Sequence, residues 1–184
     1  MNADMNEANL DEFVPGSEKT VHDEEILVRN TTLDDGRDIW HLVKNSGVLD
    51  LNSAYCYLLL CDQFAETCLV GEQNGQVIAF VTAYIKPQDE NTLFVWQIGI
   101  DQRLRGHGLG KKLLSALLTQ PACRHINKIQ ATVSPSNQAS LNLFKSLTRQ
   151  LKTNFHSEPY YGCEVFPDAE HEQEDLITVG PFTS

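Results

Sequence analysis

Past residue 25 the apolar positions of this chain fall into a regular succession of short runs and stripes. Ile26-Leu27-Val28-Arg29 predicts a first strand. In "TTLDDGRDIWHLVKNS" Ile39, Leu42 and Val43 recur at helical spacing. Thr32 suits the N-cap there, and Asp34 and Asp35 fall in the first turn, where the helix dipole favours acids. "LDLNSAYCYLLLCDQF" predicts a second helix reaching about Phe64, capped by Asn52 or Ser53. "TCLVGEQNGQVIAFVTAYI" reads as two strands joined at Asn74-Gly75, a tight-hairpin pair. Pro87 to Asn91 is polar and marks a turn. "TLFVWQIGI" is apolar at both parities, as in a central strand covered on both faces. Leu109, Leu113, Leu114, Leu117 and Leu118 return to the helical period, and Pro121 ends that helix. "KIQATV" is a strand. "SPSNQASLNLFKSL" opens with capping residues and carries Leu141, Phe144 and Leu147 on one helical face. Past residue 150 the pattern is less regular and closes on a strand at Leu176–Val179. The order β-α-α-β-β-β-α-β-α-β-β implies an α/β domain, a mixed sheet with helices on both faces.

Residues 1–24 do not share this pattern. They are acidic, poor in large apolar residues and without periodicity, and are expected to form a disordered tail ahead of a domain spanning 25–184. A hydrophobic fraction of 41% is enough for a packed core. No apolar run is long enough to span a bilayer and no leader pattern is visible, so a cytoplasmic protein is expected. Five cysteines without a CxxC, and six dispersed histidines without HExxH, point to reduced thiols and no metal. The net charge of −11 argues against a nucleic-acid partner, which needs a broad basic face. It fits a cationic substrate and simple solubility equally well.

Against that acidic background, "RLRGHGLGKKLL" (103–114) gathers four cations around Gly106, Gly108 and Gly110, between the apolar strand and the leucine helix. Glycines allow a tight bend and close approach of a ligand to the backbone. The helix N-terminus behind them offers free N–H groups and positive potential, an anion site suited to pyrophosphate. A P-loop would need a hydroxyl after Lys111, where Lys112 stands. A dinucleotide fingerprint would need G-x-G-x-x-G after the first strand, whereas these glycines are spaced G-x-G-x-G after the fourth.

The segment Arg103-Leu104-Arg105-Gly106-His107-Gly108 resembles the [Q/R]-x-x-G-x-[G/A] signature of the GNAT superfamily of acetyl-CoA-dependent N-acetyltransferases. The resemblance implies that superfamily's mixed, mostly antiparallel sheet. It also implies that the turn amides of Arg105, Gly106, His107, Gly108, Leu109, Gly110 and Lys111 hold the pyrophosphate of coenzyme A. The backbone of Ile98 and Ile100 would then pair with the pantetheine. "LDLNSAYCYLLL", "LFVWQIGI", "SPSNQASLNLFKSL" and "HEQEDL" further resemble the diaminobutyrate acetyltransferases of ectoine biosynthesis over about residues 26 to 182. That likeness implies acetyl transfer to the 4-amino group of L-2,4-diaminobutyrate, a role in osmotic stress, and a homodimer. The same fold acting on another small amine or polyamine, or serving as a non-catalytic acyl-CoA sensor, is the alternative.

The likeness carries a substrate pocket onto Asp50, Tyr55, Trp96, Asn137, His171 and Glu174, with Asp50 and Glu174 as the catalytic candidates. Each has a plainer reading. Asp50 and Asn137 precede helices and could cap them. Tyr55 and Trp96 could be core. Glu174 lies in "EHEQED", which alone is a solvated charge run. Asn137 could instead bond the cofactor's amides. Many superfamily members carry a Tyr at the position of Phe144 as acid toward the leaving thiolate. Phe144 has no proton to give, so the position is left to line the cofactor site.

Overall fold

The computed structural model describes residues 25–167 and 171–183. The proposed acidic tail at 1–24 lies outside them. Seven strands form one sheet in the order β1-β2-β3-β4-β5-β7-β6, with only β4 and β5 parallel. In chain order the elements are β1 (Leu27–Asn30), α1 (Asp35–Ser46), α2 (Ala54–Gln63), β2 (Leu69–Gln73), β3 (Gln76–Lys86), β4 (Asp89–Ile100), α3 (Leu109–Leu118), β5 (Lys128–Val133), α4 (Gln138–Leu151), β6 (Phe155–Tyr161) and β7 (Glu174–Val179). This is the alternation the apolar pattern implies, and the sheet is mixed and mostly antiparallel.

The two faces bury different residues because side chains alternate along a strand. Beneath α3 and α4, the odd positions Val81, Ala83, Leu93 and Val95 pack with Leu113, Leu117, Ile129, Phe144 and Leu147. Beneath α1 and α2, Val70 and Phe80 pack with Ile39, Val43, Tyr57 and Cys61. The β2–β3 hairpin turns where expected, with Asn74 at φ 54° and Gly75 at φ 73°. The strand β4 starts at Asp89, inside the polar stretch, so the turn before it shrinks to Pro87 and Gln88.

Two local expectations are corrected. Thr32 does not cap α1; its N–H and hydroxyl both donate to the Asp35 carboxylate, at 2.7 and 3.0 Å. Asp35 is 4% exposed and is gripped from β1 by both terminal nitrogens of Arg29, at 2.8 and 2.9 Å. The acid therefore serves a part-buried ion pair linking β1 to α1, besides meeting the helix dipole. The second correction concerns β4. It is not covered on both faces throughout, since Trp96 is 47% exposed. Between Thr82 and Ala83 the register slips: Thr82 opposes Gln97 and Ala83 opposes Val95, leaving Trp96 as the extra residue of a bulge.

Burial pushes the Asp35 carboxyl up, but hydrogen bonds from Arg29 and Thr32 outweigh it and hold the group below the ordinary 3.8. A carboxylate held low stabilises the fold above 3.8, and that contribution fades as pH falls through the native value. Asp35→Asn keeps the shape, removes the charge and leaves Arg29 to Glu72. It is expected to cost roughly 2 kcal/mol, less than a fully buried pair because Arg29 is part-exposed, and to lower Tm by roughly 4–8 °C. Thermal unfolding between pH 7 and 3 checks this. The wild type should lose more stability on acidification than the variant, and equal acid losses would refute the assignment.

Candidate active site

The chain's chemistry gathers where the sheet opens. The parallel neighbours β4 and β5 pair only at Thr92–Phe94 against Lys128–Gln130. Beyond that β5 continues beside β7, while β4 continues beside β3 alone. Backbone groups alternate in an antiparallel ladder between pointing at the partner and away from it. Asp101 N–H donates to Ile78 O at 2.8 Å, so Asp101, Gly99 and Gln97 face β3. Ile98 and Ile100 therefore turn their N–H and C=O groups toward the parted side. This is an edge inside a sheet, open to an extended ligand.

The glycine turn caps that edge. Gly106 and Gly108 stand at φ 83° and 78°, and a Cβ at either would meet nothing within 4 Å. The space in front of both is open. Gly108 is the N-cap of α3, and the first helical bond runs from Lys112 N–H to Gly108 O. The amides of Leu109, Gly110 and Lys111 thus have no partner within the helix. Gly110 differs from the other two glycines: a Cβ there would press on Ile100 Cδ1 at 3.2 Å and Leu143 Cδ2 at 3.3 Å. Its missing side chain lets α3 lie close on β4 and α4. The cations divide as well. Arg103 is spent on Asp101, Lys112 Nζ holds Ile26 O, and Arg105 Nε reaches Ile100 O at 3.1 Å. His107 is exposed beside a hollow of about 280 Å3 walled also by Ile26, Leu104 and Gly108. Phe144 is 2% exposed in the core under α4. With no open face to offer, it acts there as packing.

The remaining candidates fall into two groups, one on β4 and its neighbouring loop, the other on β7 and the α4 N-terminus. In the first, Gln97 Nε2 donates to Asp50 O at 2.9 Å, next to Trp96. The cap of α2 is Ser53, whose hydroxyl accepts from Cys56 N–H, so Asp50 is not a helix cap. Its carboxylate makes no hydrogen bond or ion pair among the described residues. Tyr55 is 72% exposed on α2 and Trp96 is 47% exposed, so neither is core. In the second group, Asn137 does cap α4, accepting from Ser140 N–H at 3.0 Å. Glu172 accepts from the Ser136 N–H and hydroxyl, drawing the 171–174 segment onto the start of α4. His171 stacks on Phe166, with ring centroids 3.6 Å apart. Glu174 opens β7 opposite Tyr161. Burial pushes the Tyr161 hydroxyl up, and the Tyr160 and Glu174 charges add to it. Burial likewise raises Tyr84 of β3, with Tyr160 contributing.

Several residues here were missed by sequence reasoning. Tyr57 and Asn52 join Gln97 in one chain of hydrogen bonds, and Glu172 holds the late segment. Gln97 had a signal: it is the lone polar side chain in an apolar run. Glu172 had none, being one acid among several. Burial pushes the Cys61 and Cys68 thiols up to about 12 and Cys123 to about 11, so these three offer no nucleophile. Among the described residues no three His, Cys, Asp or Glu gather as metal ligands, and no helix is long and apolar enough to cross a membrane.

An open strand edge meeting a glycine-capped helix N-terminus defines a site for an extended ligand with a phosphate end. Residues 35–148 match the Acetyltransferase (GNAT) family, and the chain belongs to that family. It is an acetyltransferase that uses acetyl-CoA. It is 46% identical over 86% of its length to the L-2,4-diaminobutyric acid acetyltransferase of Marinococcus halophilus, covering 91% of that protein. It is 34% identical over 98% of its length to the enzyme of that name from Halomonas elongata, covering 92% of it. The diaminobutyrate acetyltransferase EctA from Paenibacillus lautus, solved with L-2,4-diaminobutyric acid and coenzyme A, superposes with a TM-score of 0.84 at 40% identity. That match covers 88% of this chain and 98% of the other.

Gly108→Asp tests the turn. The new side chain finds room, but its carboxylate stands where the phosphates of coenzyme A would lie. Acetyl-CoA affinity is expected to fall by about 10²-fold or more, the scale of a lost charge-assisted contact replaced by repulsion. The left-handed φ adds strain of about 1 kcal/mol. Calorimetry with coenzyme A checks this, and unchanged affinity in the folded variant would remove the turn from the site.

Proposed function

We propose that this chain transfers the acetyl group of acetyl-CoA to the 4-amino group of L-2,4-diaminobutyrate, giving N4-acetyl-L-2,4-diaminobutyrate for ectoine synthesis under osmotic stress. The observation that carries the reading is the likeness to a structure solved with that diamine and coenzyme A, across nearly the whole of both chains. The turn amides from Arg105 to Lys111 bind pyrophosphate, and the outward backbone of Ile98 and Ile100 pairs with the pantetheine amides. Arg105 exchanges its hold on Ile100 O for a phosphate as the ligand enters.

The substrate arrives with two ammonium groups. The Asp50 carboxylate and Glu174 hold them, with Trp96 and Tyr55 as walls and Asn137 and His171 at the far side. Only the neutral amine carries a lone pair that can attack the thioester carbon, so a proton must leave first, through one of the carboxylates to water. Phe144 cannot protonate the leaving thiolate. A coenzyme A thiol is acidic enough to leave as the anion, helped by the α3 dipole or a water.

A cytoplasmic homodimer completes the reading. The helix α2 is apolar around its circumference, and Tyr55 and Leu59 remain 72% and 38% exposed. Such a helix needs cover, which a second copy would supply.

Turnover with L-2,4-diaminobutyrate and acetyl-CoA, with the product assigned by NMR, tests the proposal. Acetylation at N4 alone is expected, with kcat/KM rising into the alkaline range as the amine deprotonates. Asp50→Asn and Glu174→Gln each remove charge without changing shape, and each is expected to cost about 10²-fold in kcat/KM. A mixture of N2 and N4 products, or full activity in both variants, would overturn these roles.

A further inference from the structure

The loop between α1 and α2 carries Asp50, and from the end of α1 onward it is held to β4 and the turn after it at four successive points. Gln102 Nε2 donates to Ser46 O at 3.1 Å as α1 ends. Leu49 packs over Gly99, where a Cβ would overlap the Phe80 ring and press on Leu49 Cδ1 at 3.0 Å. Gln97 Nε2 holds Asp50 O at 2.9 Å. Asn52 N–H donates to the Tyr57 hydroxyl at 3.3 Å, and that hydroxyl donates to Gln97 Oε1 at 3.0 Å. Tyr57 is wholly buried. A buried hydroxyl without partners costs about 1–3 kcal/mol, so its presence in the α1–α2 core is tied to this relay. Two positions away on the same helix, Tyr55 points outward and makes no such bond.

The relay closes on the bulge of β4. Gln97 is the residue after Trp96, and it spans the Tyr57 hydroxyl on one side and the Asp50 peptide on the other. The Asp50 backbone is thereby fixed, while its carboxylate bonds none of the described residues. The same strand, one residue further on, turns the Ile98 backbone into the gap beside β5, where the acetyltransferase reading puts the pantetheine and its thioester. A single rigid strand segment therefore sets how far the Asp50 carboxylate stands from the acetyl group.

We propose that Gln97 and Tyr57 are positioning residues that make this loop a length gauge, selecting a diamine acid by the number of methylenes between its two nitrogens. This rests on the acetyltransferase reading above and adds the origin of its specificity. With the gauge intact, a substrate one methylene longer or shorter leaves its far amine misplaced at the thioester. With the gauge released, the loop accommodates both, at a loss for the proper substrate.

Gln97→Met keeps the volume and removes both hydrogen bonds. Gln97→Glu keeps the acceptor for Tyr57 and removes the donor to Asp50. Tyr57→Phe keeps the buried ring and removes the relay. The test measures kcat/KM for L-2,4-diaminobutyrate, L-ornithine and L-2,3-diaminopropionate, together with KM for acetyl-CoA and Tm. All three variants are expected to lower kcat/KM for diaminobutyrate by about 10-fold or more, the scale for a misplaced reacting group. The preference over ornithine should shrink by about tenfold, the worth of one methylene in a fitted pocket. KM for acetyl-CoA should stay unchanged. A purely structural role would lower Tm and total activity and leave the preference intact. Unchanged preference in any two folded variants overturns the proposal. Should the wild type acetylate a different diamine, the functional reading fails, and the gauge is then judged on that amine and its homologue one methylene longer.

Discussion

The site depends on the unpaired backbone that opens when β4 and β5 part after Phe94 and Gln130. Peptide groups in the middle of a sheet are normally paired, and leaving them without partners away from water is costly. The ladder geometry turns Ile98 and Ile100 into the gap because Gly99 and Asp101 are committed to β3. Every other feature is arranged around this edge. The glycine turn closes one end of it, the Trp96 bulge interrupts the other, and the two groups of polar candidates flank it.

The helix packing shows how the edge is kept open. α3 must approach β4 closely for its N-terminus to face the gap. Gly110 permits this by leaving room for Ile100 and Leu143. On the opposite face Gly99 permits Phe80 and Leu49 to settle on β4. The strand is thus gripped from both sides by side chains while one of its edges stays bare. The glycines of this region divide the work: Gly106 and Gly108 shape the turn, while Gly99 and Gly110 make space for neighbours.

Rigidity also comes from elements distant in sequence. Arg29 and Asp35 lock β1 to α1, and Glu72 joins them from β2. That places the end of α1, and so the loop with Asp50, against the bulged strand. On the other side Glu172 fastens the late segment to Ser136, so Glu174 and His171 lie beside the cap of α4. The candidate residues come from segments near 50, 96, 137 and 174, with Gln97 holding the Asp50 peptide and Glu172 holding the start of α4 through Ser136.

By itself the sequence determined the order of elements, the Asn74-Gly75 hairpin, the core stripes and the glycine turn. These are set by local period, by left-handed backbone and by glycine spacing, which a linear reading can see. It also carried the family's signature at 103–108. Tertiary structure alone decided that Trp96 leaves the core, because a bulge depends on register with β3. It also decided that Asp35 bonds Arg29 rather than only capping α1, that Phe144 packs inward, that Gln97, Tyr57 and Asn52 share one chain of hydrogen bonds, and that Glu172 bonds Ser136. Those roles rest on hydrogen bonds and contacts between segments up to 47 residues apart in the chain, and no local period or motif encodes a partner at that distance.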